Sequence, residues 1–388
     1  MADPIRLLFV TPSLCIGGAE RQLVQLLQNL DPQRYAITVA VFTGADDVSQ
    51  EGFYRQVSDL PNVSLKVLSR SGRFDLLGPV RSLVQVIRTE QIQLMHTFLN
   101  FASTFGLVAA KITGVPIVAS AIRSSRDPNL VYRACRTLQA FATNVLVSNS
   151  EAGFDNRFRR RRRNFRVIGN GLHMPRFRAQ PELVTQLRTE LGLSRFSHLV
   201  GMVATLSAVK DHPAFLQIAA RVVAVRPETG FLVIGDGPNR ASLEEMSARL
   251  GLDNNVVFTG YRPDVDTLTG LLDVACLFTN YRLISEGLPN AVMEAMACGV
   301  PVIATDDGGT VEILHEGVEG FLVSRNDPDI STGLILRLLE DETLRAAMGE
   351  RGRASAIANF SLDVCIGRYE ELYRQLLDAR GQLARSAS

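Results

Sequence analysis

The chain has almost no lysine. Lys66, Lys111 and Lys210 are all there is, and arginine carries nearly all the positive charge. Each lysine therefore weighs more as a candidate. There is no charge surplus: 41 Lys and Arg against 40 Asp and Glu leave +1, which argues against nucleic acid as a bulk electrostatic partner. No CxxC occurs. Cys15, Cys135, Cys276, Cys298 and Cys365 are scattered and odd in number, which fits a reducing cytosol and no zinc spacing. No Ser-His-Asp or Cys-His arrangement appears among the five dispersed histidines. No stretch reaches the roughly 18 apolar residues that span a bilayer. The short apolar run at the N-terminus reads as a first strand and lacks a signal-peptide layout. The expected location is cytoplasmic, with any membrane association peripheral.

What is present describes an α/β chain. Its 388 residues suit two domains, and 46% hydrophobic with 21% charged residues gives ample core. IRLLFVT (5–11) reads as a buried parallel strand. The turn PSLCIGGAE follows, and a helix begins near Ala19 with Leu23, Leu26, Leu27 and Leu30 on one stripe. Strand, glycine turn and helix hold a ligand at the carboxyl edge of a sheet, although GxGxxG is absent. Strand–helix units continue through AITVAVFT, VSLKVL, IQLMHTF, VPIVASAI and NVLVSNS. His96 ends one strand, where it is a core residue or a neighbour of the acceptor. Asn170–Gly171 predicts a positive-φ turn out of the first domain. A second series begins at HLVGMVATL, and Asp236 in GFLVIGDGPNR reads as turn chemistry.

The chain is organised around SEGLPNAVMEAMACGVPVIATDDGG, residues 285–309. Pro289 suits the first helical position. Gly299 and Pro301 stop the helix, and VPVIAT reads as a buried strand. Glu312 opens a short helix beyond the Gly308–Gly309 turn. Glu286 lies before the first helix, and Glu294 lies on it, about 7.5 Å along the axis from Pro289. Between them, free N–H groups from Gly287, Leu288 and Asn290 make an anion site. An anion flanked by two carboxylates suits a nucleoside diphosphate sugar, with ribose on one side and hexose on the other.

E-x7-E within SEGLPNAVMEAMA resembles the signature of the family 4 retaining glycosyltransferases of GT-B fold. The resemblance runs from GGAER to the final helix and is strongest over 196–324. It implies two Rossmann-like domains facing a central cleft, 1–174 on the acceptor side and 175–360 binding the nucleotide sugar. The helix 361–388 would cross back to the first domain or pack within the second. It implies that Glu286 holds donor-sugar hydroxyls and Glu294 the ribose, and that Lys210 binds the diphosphate. Gly17 and Gly18 match its first loop, and Tyr261, beside Arg262, its nucleobase segment. Thr205 stands where the family has an arginine. The family's histidine near Ile122 is missing, and Arg123 is the candidate cation there. The implied enzyme is a hexosyltransferase of polysaccharide or glycolipid assembly, using neither metal nor cofactor beyond its donor. Two other readings remain open: a non-catalytic nucleotide-sugar-binding scaffold and a nucleotide-sugar epimerase.

NRFRRRRRNFR places Arg157, Arg159, Arg160, Arg161, Arg162, Arg163 and Arg166 together with no acid. It reads as a solvated loop or as a patch for anionic lipid head groups or a lipid-linked pyrophosphate. Phe158 and Phe165 are too few for RNA stacking.

Overall fold

The computed structural model describes residues 3–15, 17–42, 52–68, 75–122, 130–178, 181–283 and 285–386, with side chains to residue 380. The chain divides into two compact units. One is Met1–Gly171 with Leu362–Ser388, and the other is Leu172–Ser361.

The first unit holds a seven-stranded parallel sheet. Its strands are β1 (Ile5–Thr11), β2 (Tyr35–Val41), β3 (Val63–Val67), β4 (Leu94–Phe98), β5 (Ile117–Ile122), β6 (Val145–Ser148) and β7 (Phe165–Val167). They lie in the order β3-β2-β1-β4-β5-β6-β7, so the sheet reverses direction between β1 and β4. The helices between them are α1 (Gly18–Asn29), α2 (Tyr54–Ser58), α3 (Leu77–Thr89), α4 (Asn100–Thr113), α5 (Leu130–Ala142) and α6 (Glu151–Asp155). Leu7, Phe9, Val39 and Leu94 are closed to solvent because both faces of the sheet are covered, which is why these strands read as continuous apolar runs.

The second unit holds six parallel strands. They are β8 (His198–Val203), β9 (Thr229–Ile234), β10 (Val256–Gly260), β11 (Val274–Leu277), β12 (Val302–Thr305) and β13 (Gly320–Val323). The order β10-β9-β8-β11-β12-β13 reverses between β8 and β11. Its helices are α7 (Pro181–Glu190), α8 (His212–Val225), α9 (Arg240–Arg249), α10 (Val265–Gly270), α11 (Asn290–Cys298), α12 (Pro328–Glu340) and α13 (Glu342–Phe360). Aspartates at three helix starts cap free N–H groups: Asp211 on α8, Asp327 on α12 and Asp341 on α13.

The last helix, α14 (Leu362–Ser386), packs on the first unit. Tyr369 and Tyr373 are buried there, and the Tyr373 hydroxyl lies 2.6 Å from His96 Nδ1. His96 Nε2 lies 2.7 Å from Ser120 Oγ, so the imidazole is a core group tying β4 to β5 and α14. Three expectations are corrected. Asn170 and Gly171 have no positive φ. Glycine is needed at 171 for close approach instead: a Cβ would stand 2.9 Å from both Cys365 Cβ and Leu362 Cδ1. Gln22 holds the same backbone, its Oε1 accepting from Gly171 N at 2.8 Å and its Nε2 donating to Gly171 O at 3.1 Å. Pro289 is the cap of α11 with ψ 113°, one residue before the first helical position. Glu312 closes a 3-10 turn, Gly308–Glu312, rather than opening a helix.

Candidate active site

In a doubly wound parallel sheet, chains leaving adjacent strands at the point of reversal diverge and leave a crevice at the carboxyl edge. In the second unit β8 and β11 flank that point. Lys210 follows β8 and Glu286 follows β11. The two segments are stitched together by backbone: Asp211 N donates to Phe278 O at 2.9 Å, and Asn280 N to Val209 O at 3.0 Å. This brings Lys210 Nζ into an ion pair with Glu286 Oε1. The same oxygen accepts from Thr279 Oγ1 at 2.7 Å. The two charged side chains are partly buried, 18% and 15% exposed.

The backbone of Glu286 is gripped from β12. Gly309 N donates to Glu286 O at 3.1 Å. Gly308 has φ +58°, and a Cβ on it would stand 2.2 Å from that same carbonyl oxygen. Both the left-handed conformation and the close approach demand glycine. Beneath the ion pair lies Asn326, 2% exposed and itself at φ +52°. Its Nδ2 donates to Asp211 Oδ2 at 2.9 Å and to Thr279 O at 3.0 Å, and its Oδ1 accepts from Thr305 Oγ1. Thr305 Oγ1 in turn accepts from Thr279 N at 2.8 Å. One buried amide thus ties together the segments that carry Lys210 and Glu286.

Three residues after Glu286, Pro289 caps α11. Gly287 and Leu288 are buried, and no acceptor among the described residues takes their backbone N–H groups. They lie just ahead of the Pro289 cap of α11, where unbonded donors and the helix dipole together favour an anion. Asn290 opens α11 and Glu294 lies within it, half-buried. His212, at the start of α8, is buried, and burial lowers its pKa to about 4, against an opposing hydrogen bond with the Lys210 backbone; the Lys210 charge lowers it and the Asp211 charge raises it to a smaller extent. It therefore stays neutral beside the lysine.

The other predicted residues fall as follows. Thr205 is exposed on the loop after β8. Tyr261 is 63% exposed just after β10, two strands from β8 and thus roughly 10 Å away across the sheet. Arg262 beside it is committed: it forks onto Asp264 at 2.9 and 2.7 Å and reaches Glu190 at 2.7 Å. Asp236 accepts from Gly237 N at 2.7 Å, as turn chemistry. Gly17 caps α1 and Gly18 begins it, at the carboxyl end of β1 in the first unit. Leu99, at the end of the neighbouring β4, holds φ +65°, a strained value that no sequence signal announced. Arg123 lies outside the described residues. Among the described residues no group of three His, Cys, Asp or Glu could hold a metal ion.

Two Rossmann-like units, the second with a lysine, a carboxylate and unbonded N–H groups at its switch point, make this a two-unit α/β chain with a candidate anion site. Comparison with known proteins narrows this. The family model "Glycosyl transferases group 1" matches residues 185–355, and "Glycosyltransferase Family 4" matches residues 16–175. The chain belongs to the family 4 glycosyltransferases. An N-acetyl-alpha-D-glucosaminyl L-malate synthase of Bacillus anthracis is 30% identical over 202 residues, 52% of each chain, so the match spans about half that relative's length. A GDP-mannose-dependent monoacylated alpha-(1-6)-phosphatidylinositol monomannoside mannosyltransferase of Corynebacterium glutamicum is 26% identical over 90% of this chain and 92% of its own. The crystal structure of HepE from Anabaena in complex with UDP superposes with a TM-score of 0.83 at 22% identity, covering 96% of this chain and 100% of that one. The fold is that of these glycosyltransferases.

Proposed function

We propose that this glycosyltransferase moves a hexose from a nucleoside diphosphate sugar to a lipid-linked or saccharide acceptor, with retention of configuration and without a metal ion. One observation carries the reading: Lys210 and Thr279 converge on Glu286 directly ahead of the α11 N-terminus. A diphosphate lying on the Gly287 and Leu288 N–H groups would draw Lys210 away from Glu286. Glu286 would keep its Thr279 bond and turn its freed oxygen to sugar hydroxyls, while Glu294 takes the ribose. The acceptor oxygen then bonds to the anomeric carbon as the bond to the β-phosphate oxygen breaks. The acceptor proton passes to a phosphate oxygen, and Lys210 with the helix N-terminus stabilises the charge that grows on the departing nucleoside diphosphate. Relatives support the donor and acceptor classes: one is named for GDP-mannose and a phosphatidylinositol glycolipid, and a structural neighbour holds UDP.

The test is product analysis with a panel of α-linked UDP-, GDP- and ADP-sugars, in buffer treated with EDTA. The expected result is release of one nucleoside diphosphate, an α-linked product by NMR, and a rate unchanged by the chelator. A β-linked product would overturn retention. Activity lost to EDTA and restored by a divalent cation would overturn metal independence.

A further inference from the structure

Charge is distributed unevenly in this chain. Residues 130–167 carry nine arginines and two acids, net +7, whereas the whole chain carries +1. The structure sorts these arginines. Arg161 is spent on Glu151 and Asp155, the two acids of the region, pairing with the latter at 2.9 Å. Arg157 and Arg166 bond to nearby carbonyl oxygens. The exposed guanidinium groups of Arg159, Arg160 and Arg163 have no partner among the described residues.

Beside them stands α5, a helix with its apolar stripe facing outward. Leu130, Leu138 and Phe141 share one face with Ala134, and are 77%, 52% and 65% exposed. The helix contains no acidic residue. Stripe and loop are continuous: the Arg162 guanidinium lies over the Phe141 ring, 3.9 Å from its centroid. We propose that this surface docks on a bilayer rich in anionic phospholipid, with the leucines and Phe141 entering the head-group layer and Arg159, Arg160 and Arg163 meeting lipid phosphates. An apolar stripe flanked by basic side chains is the pattern of helices that lie in a membrane interface.

The topology decides against a lipid-linked pyrophosphate at these arginines. The arginine loop precedes β7, and Phe141 stands just before β6, so both lie at the amino edge of the parallel sheet. The Gly17–Gly18 turn leaves the carboxyl edge of the same sheet. The seven-residue β1 alone separates the two edges by roughly 20 Å. RNA has no use for exposed leucines on such a face, and a second copy would set +7 against +7.

Sedimentation of the full chain with vesicles tests this. Vesicles of equal parts phosphatidylglycerol and phosphatidylcholine should carry the protein down, and pure phosphatidylcholine should not. Arg159→Ser/Arg160→Ser/Arg163→Ser should weaken partitioning about a hundredfold. Leu138→Ser/Phe141→Ser should weaken it about tenfold or more at low salt. Both variants should keep the thermal stabilisation by nucleoside diphosphate seen in the wild type, which separates a lost surface from a lost fold. Equal binding to both vesicle types, or variants that bind like the wild type, would overturn the proposal. So would an RNA complex or a dimer that these variants abolish while vesicle binding is absent.

Discussion

Glu286 is held by side-chain and backbone groups from three separate segments of the chain. Thr279 reaches one of its carboxylate oxygens, Gly308 and Gly309 fix its carbonyl, and Asn326 braces the segments on either side. Glu286→Ala should abolish transfer, by about a thousandfold or more, with the fold intact; wild-type rates in that variant would sink the assignment. Thr279→Val keeps shape and removes one hydrogen bond to a charged group, worth about 1.5–3 kcal/mol. Its kcat/KM should fall roughly tenfold to a hundredfold, with little change in thermal midpoint, and an unaltered kcat/KM would show that Thr279 does not orient Glu286. The two carboxylates stood out by their E-x7-E spacing and Lys210 by the family resemblance, and the structure brings Lys210 to Glu286. Thr279 and Asn326 did not stand out. Asn326 bonds to Thr279, 47 positions away, and to Asp211, 115 positions away, and a contact across such a gap leaves no local trace.

At the scale of elements, most of the reading survived because buried parallel strands are short, continuous apolar runs and the helices between them show one stripe. The misses came where backbone geometry rather than side-chain pattern decides. Pro289 satisfies a cap as readily as a first helical position, since both want its fixed φ. Gly171 looked like a turn residue, and the structure shows that α14 packs against it. The α8 start carries a consequence for pH. His212 has its pKa lowered from 6.5 to about 4 by burial. The unfolded chain takes up that proton near pH 6.5, whereas the folded chain resists it until about pH 4. Stability is therefore present in full above about 6.5 and falls as the pH drops toward 4, by about 3 kcal/mol at most from this group. Urea unfolding of wild type and His212→Leu between these pH values checks it: the variant should show the flatter dependence, and parallel curves would count against a buried neutral imidazole.

For the whole molecule, near-neutral net charge concealed a polar distribution of charge. The arginine run was visible in the sequence, but its meaning depended on α5 turning Leu138 and Phe141 outward beside it. Two α/β units were legible from chain length, recurring strand–helix alternation and the family resemblance. Strand order was not, because nothing local says that β1 pairs with β4 or β8 with β11, and those pairings create the switch points. We propose that a nucleoside diphosphate sugar binds at the switch point of the second unit. The most direct test is the thermal midpoint of the full chain against UDP-, GDP- and ADP-sugars and their free nucleotides, in wild type, Lys210→Ala and Glu294→Ala. A ligand at 100 times its dissociation constant stabilises by about 2.7 kcal/mol, or several degrees. The midpoint should rise with one base, more with one sugar attached, and less in both variants. No shift with any donor, or a shift that both variants retain in full, would contradict the proposal.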